Sequence, residues 1–426
     1  MNLVEELTWR GLIQDMTPGT KELFANEKVK AYIGFDPTSD SLHIGSLVPI
    51  TILMHLQRHG HSPIALVGGA TGMVGDPSGK SKERNLLTND ILQKNLKGIT
   101  QQLSKFLDFD TPDNPAEVVN NYDWFKEFSF LDFIRDVGKY ITVNYMMAKD
   151  SVKQRFTGDV GISFTEFSYQ LIQGYDFYHL YKNKGVKVQM GGSDQWGNIT
   201  TGTELIRKMD GGDAYALTSP LVKKADGGKF GKTEQGNIWL DPEKTSPYKF
   251  YQFWLNASDE DAKNWIKTFC LFSQEETENL IQRHEESPHL RILQKAIAED
   301  LTIRVHSKQD YENAVSASEV LFGKSTKRTL AQLSEKTVSE IFEGVPTYRI
   351  SKNIIEDKSP IIDILAVHTS IYPSKSEAKR ALLSHAVSVD QEKVTEQYLV
   401  SKEDVVGNKF ILVRKGKKDY HLIEVE

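Results

Sequence analysis

The amino-acid sequence predicts an α/β fold, in which a Rossmann-like, doubly wound parallel sheet is followed by an α-helical domain and a small α+β module. Three apolar runs predict strands of the sheet, and segments of helical periodicity separate them. These runs are "KAYIGFD" at 30–36, "SPIALVGG" at 62–69 and "GVKVQMGG" at 185–192. Ligands of open α/β sheets bind at the carboxyl ends of the strands, where the glycine-rich turns of this chain lie. We therefore expect a ligand site at that edge.

Four segments follow one another along the 426 residues. The predicted sheet occupies residues 1–245. Helical spacing continues through 246–322, with capping patterns in "SDEDAKNWI" at 258–266 and "SQEETENLI" at 273–281, and we expect a separate helical domain there. Polar residues around a "GVP" break predict a linker at 323–358. Short alternating helices and strands at 359–426 predict the small module.

The composition is that of an ordinary soluble globular protein. The chain has 52 basic and 58 acidic residues, so its net charge of −6 does not by itself point to a polyanionic partner. Its single cysteine, Cys270, excludes an internal disulfide and a cysteine-rich zinc site, and fits the reducing cytoplasm. The amphipathic, acidic N-terminal stretch is unlike a signal peptide, and we find no apolar run of membrane-spanning length.

Two glycine- and lysine-rich stretches resemble phosphate-binding loops, "GDPSGKS" at 75–81 and "DGGKFGKT" at 226–233. Neither has the four residues that separate the first glycine from Gly-Lys-Ser/Thr in a P-loop, which argues against that class of NTPase. Their glycines would still let backbone amides approach an anion, with lysines nearby. Taken singly, either stretch could equally be a solvated surface turn.

The combination of motifs is more specific than any one of them. "HIGS" at 43–46 and "KFGKT" at 229–233 resemble the paired signatures of the first class of aminoacyl-tRNA synthetases. With "YIGFDPT", "GGATGMVGDPSGKSKER", "YQLIQGYDF" and "QMGGSDQWGNI", they follow the order and approximate spacing of bacterial-type tyrosyl-tRNA synthetases. The stretch "SKSEAKRALLSHAVSV" at 374–389 is similar to an RNA-binding module that these enzymes share with a ribosomal small-subunit protein. The resemblance covers nearly the whole chain and implies a tyrosine–tRNA ligase.

The implied reaction brings together two anions, the carboxylate of tyrosine and ATP, and expels pyrophosphate. Because the nucleophile is already ionised, positioning and electrostatic stabilisation are the main requirements. A helix beginning near His43 would offer free amides and positive potential to the phosphates, although the histidine could also be a plain helix cap. By resemblance, the residues that act on the phosphates are Thr38, His43, Lys80, Arg84, Lys229, Lys232 and Thr233.

Selection of tyrosine is assigned by the same resemblance. Tyr32 and Asp176 would bind the phenolic hydroxyl, and a buried carboxylate left unpaired by phenylalanine would be costly. On a helix, Tyr169, Gln173 and Asp176 fall on one face, although a polar stripe of an amphipathic helix would give the same spacing. The tyrosine-binding residues implied are Tyr32, Asp76, Tyr169, Gln173, Asp176 and Gln189.

Glycines would let the nucleoside approach the backbone, and a carboxylate can accept hydrogen bonds from both ribose hydroxyls. The ATP-binding residues implied are Gly34, Asp36, His43, Gly45, Ser46, Gly191, Asp194, Gln195 and Lys232. Ser46 departs from the family, because it replaces the second histidine of the motif. A second departure is "SHAVSVDQEKV" at 384–394, which lacks the usual glycine before "AVSV" and the usual Asn-Gly turn.

The resemblance also implies partners. ATP would be a substrate accompanied by Mg²⁺, with no metal held by the protein, and tRNA(Tyr) would be the acyl acceptor. "RKGKK" at 414–418 is a candidate RNA contact, and the segment 122–156 is a candidate homodimer interface. A tryptophanyl enzyme is disfavoured by Tyr32, Asp176 and the C-terminal module. The alternative from another class is a noncatalytic RNA-binding protein on a synthetase scaffold.

Overall fold

The computed structural model describes residues 1–78, 87–150, 152–153, 161–228, 230–233, 236–321, 335–343, 345–416 and 419–426. They form two compact units. The first unit comprises Met1–Lys244 and Leu255–Leu301, and the second unit comprises Thr245–Trp254 and Thr302–Glu426.

A six-stranded sheet organises the first unit. Its strands are β1 (Asp15–Met16), β2 (Lys30–Phe35), β3 (Ser62–Val67), β4 (Glu117–Asn120), β5 (Val186–Gly192) and β6 (Tyr215–Ser219). The order is β1-β6-β5-β2-β3-β4; the pairs from β6 to β4 are parallel, and β1 is antiparallel to β6. The doubly wound parallel sheet predicted from the sequence is therefore confirmed. Its winding direction reverses between β2 and β5, the position where such sheets bind ligands.

The central strands are mostly apolar, as is typical of parallel strands whose two faces are both covered. Tyr32 of β2 packs edge-on against Phe177, with ring centroids 5.6 Å apart. Phe177 belongs to the long helix Phe164–Lys184, which packs on β5. Ser163 caps the start of this helix, and Gly185 ends it at a φ of 71°, a conformation that glycine adopts without strain. Local capping thus fixes where this helix begins and ends.

Helices account for most of the remaining described chain. The α-helices are Leu3–Trp9, Thr20–Asn26, Leu47–Arg58, Thr71–Val74, Asn89–Leu103, Tyr122–Phe125, Phe130–Asp136, Val143–Met147, Phe164–Lys184, Trp196–Asp210, Pro247–Leu255, Asp259–Phe269, Gln274–Glu286, Ile292–Val305, Lys308–Leu321, Glu335–Ile341, Lys352–Glu356, Ile361–Asp363 and Lys375–Leu383. A short antiparallel hairpin, β7 (Lys232–Thr233) and β8 (Gly236–Asn237), also belongs to the first unit.

The helical segment 246–322 does not form a unit of its own, which differs from the separate domain expected there. Its part Leu255–Leu301 belongs to the first unit, where Arg10 anchors it. The buried guanidinium of Arg10 donates hydrogen bonds to the carbonyls of Lys267, Cys270 and Phe272 at 2.6 to 2.8 Å. Helical periodicity predicts the helices correctly but contains no information about this contact, which spans more than 250 residues.

The second unit contains a five-stranded sheet in the order β11-β10-β12-β13-β9. Its strands are β9 (Thr347–Ile350), β10 (Val387–Val389), β11 (Glu392–Lys393), β12 (Phe410–Lys415) and β13 (Asp419–Val425). The predicted linker at 323–358 therefore needs correction, because β9 lies within it and pairs in parallel with β13, the last strand. Glu335–Ile341 and Lys352–Glu356 are helices within the same stretch, so the fold of this unit begins before residue 359.

The unusual turn residues of the C-terminal module occupy strained positions. His385 has a φ of 54°, and Asp390 and Gln391, which join β10 to β11, have φ values of 45° and 74°. These are the positions at which the sequence lacks the expected glycine or Asn-Gly. Asp390 offsets part of the strain, because its carboxylate accepts a hydrogen bond from the amide of Leu412 at 3.1 Å.

Candidate active site

A cleft of about 840 Å³ opens at the carboxyl ends of β2 and β5. It lies where the winding direction of the sheet reverses, as expected for a ligand site. The sequence-predicted residues that line it are Tyr32, Gly34, Asp36, Thr38, His43, Gly45, Ser46, Asp76, Tyr169, Gln173, Asp176, Gln189, Gly191, Asp194 and Gln195. The fold thus brings together residues that lie on β2, on β5, on the helix Phe164–Lys184 and on the turns between them.

The basic residues predicted to act on the phosphates are only partly described. Lys80, Arg84 and Lys229 lie outside the described residues. Lys232 and Thr233 form β7, whose backbone pairs with β8. Phe230 and Gly231, just before β7, line the cleft, so the hairpin begins at its edge.

Tyr32 and Asp176 are almost completely buried where they line the cleft, each about 1% exposed. Burial raises the pKa of Tyr32 well above its ordinary value, and the nearby charge of Asp176 raises it further. Among the described residues, the Tyr32 hydroxyl has no hydrogen-bond partner, and neither do the side-chain oxygens of Gln173 and Gln189. Buried polar atoms without partners are costly, and a polar ligand in the cleft would satisfy them.

Two protein donors hold the carboxylate of Asp176. The indole nitrogen of Trp124 donates to Oδ1 at 2.9 Å, and Nδ2 of Asn121 donates to Oδ2 at 3.0 Å. Burial raises the pKa of Asp176 well above its ordinary value, and these two hydrogen bonds oppose the rise by favouring the charged form. The carboxylate is therefore fixed in orientation, while each oxygen keeps capacity to accept a further hydrogen bond.

A chain of hydrogen bonds connects Asp176 to the end of β2. Asn121, fully buried, donates to the hydroxyl of Thr71 at 3.2 Å, and Thr71 donates to Oδ1 of Asp36 at 2.8 Å. The hydroxyl of Tyr169 donates to Oδ2 of Asp36, also at 2.8 Å. Burial, and then the charge of Asp36, raises the pKa of Tyr169 well above its ordinary value, so this hydroxyl keeps its proton. The predicted tyrosine and nucleoside contacts thus share one network.

A second network surrounds Asp76. Its Oδ2 accepts a hydrogen bond from Nε2 of Gln195 at 2.7 Å, and its Oδ1 accepts one from the amide of Ser78 at 2.9 Å. Asn198 contacts both Oε1 of Gln195 at 3.2 Å and the hydroxyl of Ser78 at 3.3 Å. The structure therefore couples a residue assigned to tyrosine with one assigned to the nucleotide.

The turn at His43 has the form expected for a helix start. Nδ1 of His43 accepts a hydrogen bond from the amide of Gly45 at 3.0 Å and caps a short 3₁₀ turn, Ile44–Ser46, that leads into the helix Leu47–Arg58. A Cβ atom on Gly45 would lie 2.7 Å from the His43 ring, so only glycine fits beneath it. Ser46 lines the cleft at this turn, in the position of the second histidine of the motif.

Sequence reasoning missed three residues of the network around Asp176, namely Thr71, Asn121 and Trp124, and two residues of the network around Asp76, namely Ser78 and Asn198. Asn121 follows β4 directly, and a polar residue just after an apolar run marks the same carboxyl edge of the sheet. That signal was available in "AEVVNN" at 116–121. Nothing local indicates Trp124, because its role depends on contact with a helix 52 residues later.

Two features are absent from the described residues. No group of three or more His, Cys, Asp or Glu side chains there is arranged to hold a metal ion. Likewise, none of the described helices is both long and apolar enough to cross a membrane.

The sheet order and the polar cleft at its reversal point define a Rossmann-type catalytic domain built to bind a nucleotide and a second small polar ligand. Residues 25–323 match the family "tRNA synthetases class I (W and Y)", and residues 337–423 match the "Tyrosine--tRNA ligase SYY-like C-terminal domain". The chain is 58% identical to a tyrosine–tRNA ligase of Bacteroides fragilis over 99% of each chain. It is also 58% identical to the one of Flavobacterium johnsoniae, over 100% of this chain and 99% of that one.

A solved structure supports the same grouping. The C-terminally truncated mitochondrial tyrosyl-tRNA synthetase of Aspergillus nidulans is 28% identical, with a TM-score of 0.68 over 75% of this chain and 93% of that chain. The chain therefore belongs to the class I tRNA synthetases and, within them, to the tyrosyl-tRNA synthetases. The family resemblance read from the sequence motifs is confirmed.

Proposed function

We propose that this chain is a tyrosine–tRNA ligase whose cleft activates tyrosine with ATP. The carboxylate of tyrosine attacks the α-phosphorus, the bond to pyrophosphate breaks, and tyrosyl-adenylate forms. The acyl group then passes to a hydroxyl of the terminal ribose of tRNA(Tyr), and AMP leaves. Mg²⁺ enters with ATP as part of that substrate.

The single observation that carries the choice of tyrosine is the pairing of Tyr32 and Asp176 where they line the cleft. Asp176 presents a fixed acceptor and Tyr32 a hydroxyl without a partner among the described residues. A phenolic hydroxyl can donate to one and accept from the other. Phenylalanine would leave the Tyr32 hydroxyl without a partner and the remaining acceptor capacity of Asp176 unused, and tyrosyl-tRNA synthetases are a known case of strong discrimination against an analogue that lacks the hydroxyl.

The remaining cleft residues are assigned by the same matching of chemistry. An ammonium group has only donors, and it suits the acceptors of Asp76 and Gln173, with Tyr169 beside them. Gln189 offers a further buried acceptor oxygen on β5. The roles proposed for the nucleoside belong to Gly34, Asp36, Gly45, Ser46, Gly191, Asp194 and Gln195.

We propose that a helix start and several basic side chains together neutralise the negative charge of the ATP phosphates. Thr38 and His43 line the cleft beside a helix start, where free amides and positive potential favour anions. Lys80, Arg84, Lys229, Lys232 and Thr233 complete this set by family resemblance. Interactions that strengthen only in the transition state raise the rate of adenylation rather than the affinity for tyrosine.

The domain roles follow from this assignment. We propose that residues 1–245 carry out catalysis, that the helices of 246–322 contact tRNA, and that the C-terminal module binds the RNA backbone. Arg414 and Lys415 are the described basic residues of "RKGKK", at the end of β12. Phosphate contacts of this kind weaken with rising salt, which gives them a measurable signature.

A homodimer is proposed through the segment 122–156. Its described part exposes unusually many apolar side chains for a monomer surface, namely Tyr122, Phe130, Leu131, Ile134, Val143 and Met147. Leu131 is the most exposed of them, at 75%. A second copy of the chain would cover this face. The proposed site of action is the cytoplasm.

The test is amino-acid-dependent exchange of pyrophosphate into ATP, run across the standard amino acids. Exchange with tyrosine alone supports the proposal, exchange with tryptophan would favour the tryptophanyl alternative, and no exchange at all would favour a noncatalytic RNA-binding protein. Charging of tRNA(Tyr) then tests the second step.

A further inference from the structure

The β7–β8 hairpin, which carries Lys232, is joined to the His43 turn through the backbone. The amide of Ile44 donates to the carbonyl of Ile238 at 3.0 Å, and the amide of Leu240 donates to the carbonyl of Leu42 at 2.9 Å. His43 and Trp239 therefore face each other in a one-residue antiparallel bridge, with ring centroids 6.1 Å apart. A hairpin with strands of only two residues has marginal stability alone, so its position depends on such contacts.

A second connection lies on the other side of Trp239. The ammonium group of Lys244 sits 4.9 Å from the centre of the Trp239 ring and pairs with Oδ1 of Asp40, three residues before His43. The same ammonium donates to the hydroxyl of Ser39 at 3.3 Å. One side chain thus joins the segment after the hairpin to the segment before the His43 turn, 204 residues apart.

The two cations on Asp40 are not equivalent. Lys94 contacts Oδ2 at 2.9 Å, but its side chain is 74% exposed, and exposed pairs contribute little. The Lys244 side chain is 31% exposed and packs on an aromatic ring, which shields its pair from water. The hydrogen bond from Lys244, and then the one from Lys94, holds the pKa of Asp40 far below its ordinary value. The carboxylate therefore stays charged throughout the neutral range.

Helix Asn89–Leu103 holds the Asp40 segment from beneath. A Cβ atom on Gly98 would lie 2.0 Å from the carbonyl oxygen of Asp40, so this close approach requires glycine. Gln102 accepts from the amide of Leu42 at 2.8 Å and donates to the hydroxyl of Ser41 at 3.0 Å. The Asp40 carboxylate is thus a fixed point to which Lys244 attaches.

We propose that Asp40 and Lys244 are positioning residues, whose ion pair across Trp239 fixes the β7–β8 hairpin against the His43 turn so that Lys232 meets the departing pyrophosphate. The inference rests on the proposed function and deepens it. Neither residue is among those that line the cleft, so both would act on the rate of adenylation by way of the hairpin. Small displacements of a catalytic group are costly, about 100-fold for 1 Å, so losing one of several contacts is expected to slow adenylation about tenfold.

The test compares Lys244→Met, which keeps length and apolar cover over Trp239, with Lys244→Arg, which keeps the charge. Single-turnover formation of tyrosyl-adenylate should slow about tenfold in Lys244→Met, while the dissociation constant of tyrosine changes less than about twofold. Lys244→Arg should recover most of the rate. Asp40→Asn tests the pair from the other side, and each variant is assayed well below its own midpoint of thermal unfolding.

Two controls separate positioning from the loss of any surface ion pair. Lys263→Met breaks the pair with Glu285, which is 2.7 Å long, more exposed than the Lys244 pair and made by residues that do not line the cleft, and should change the rate less than about twofold. Lys94→Met should also have a small effect. In a Lys232→Ala background, Lys244→Met should cost less than about twofold, because the group that it positions is gone.

Several results would overturn the inference. They are additive effects of Lys232→Ala and Lys244→Met, equal losses of rate and tyrosine affinity, and no recovery with arginine. Failure of the proposed function looks different, because the unaltered protein would then show no tyrosine-dependent pyrophosphate exchange at all. An active wild type with a fully active Lys244→Met variant refutes the positioning role alone.

Discussion

Replacing Asp176 with asparagine tests the assignment of the tyrosine pocket directly. Both carboxylate oxygens accept hydrogen bonds, from Trp124 at 2.9 Å and from Asn121 at 3.0 Å. An amide has only one acceptor oxygen, so in Asp176→Asn one of these donors faces an NH₂ group. The variant also loses the negative charge that would strengthen the hydrogen bond donated by the phenol. The change keeps the size of the side chain and removes its hydrogen-bonding capacity.

The expected magnitude follows from these contacts. A hydrogen bond to a charged group contributes about 1.5–3 kcal/mol. Loss of the bond to the phenol should therefore lower kcat/KM for tyrosine by about 10- to 150-fold. Phenylalanine makes no such bond, so its kcat/KM should change far less. The ratio of kcat/KM for tyrosine to kcat/KM for phenylalanine should therefore fall by nearly the same factor as kcat/KM for tyrosine.

The assay is pyrophosphate exchange with tyrosine and with phenylalanine, on the wild type and the variant. Asp210→Asn is a matched control, because Asp210 pairs with Lys182 away from the cleft and should leave both substrates unaffected. A variant that keeps the wild-type tyrosine/phenylalanine ratio would refute the assignment of Asp176. Equal losses for both amino acids would point instead to a general disturbance of the pocket through Trp124 and Asn121.

Four further predictions concern other parts of the chain. Lys232→Ala should lose about 2–4 kcal/mol of transition-state stabilisation in single-turnover adenylation while tyrosine binding stays close to normal, and equal losses in both would contradict a transition-state role. A chain ending at Leu321, without β9–β13, should still form tyrosyl-adenylate but should no longer charge tRNA, and its affinity for tRNA should depend less steeply on salt. Unchanged charging would contradict a role of the C-terminal module in RNA binding. His385→Gly and Gln391→Gly should each raise the free energy of unfolding by up to about 1 kcal/mol in urea titrations, because both positions have positive φ, whereas Ser384→Gly, at a φ of −84°, should not. Burial raises the pKa of Asp176 in the native state above its value of about 3.9 in the unfolded chain, so at a pH between these two pKa values the native state holds a proton that the unfolded state has released. Rising pH between the two pKa values should therefore lower the free energy of unfolding of the wild type. Parallel pH profiles of this free energy for the wild type and Asp176→Asn would contradict the raised pKa.

Three neighbouring strands of the first sheet, β5, β2 and β3, and much of the cleft are encoded locally, and for that reason the sequence alone predicts them. Buried parallel strands are apolar runs, and β2, β3 and β5 each end at the glycine-rich or polar turns that mark the ligand edge. The spacing of Tyr169, Gln173 and Asp176 follows from the helical repeat, and all three line the cleft. Periodicity and turn chemistry act over a few residues, so they can be read without knowing what packs against them.

Contacts between distant residues were decided only by the tertiary structure. Trp124 and Asn121 orient Asp176 across more than 50 residues, and Lys244 reaches Asp40 across 204. Arg10 also acts over a long distance, because its contacts hold the helices of Leu255–Leu301 in the first unit. Strand β9 pairs with the last strand, β13, so the C-terminal fold begins earlier in the chain than the sequence predicts. In each case the partner is selected by burial and geometry after the chain has folded back on itself, and no local pattern specifies which distant donor will meet which acceptor.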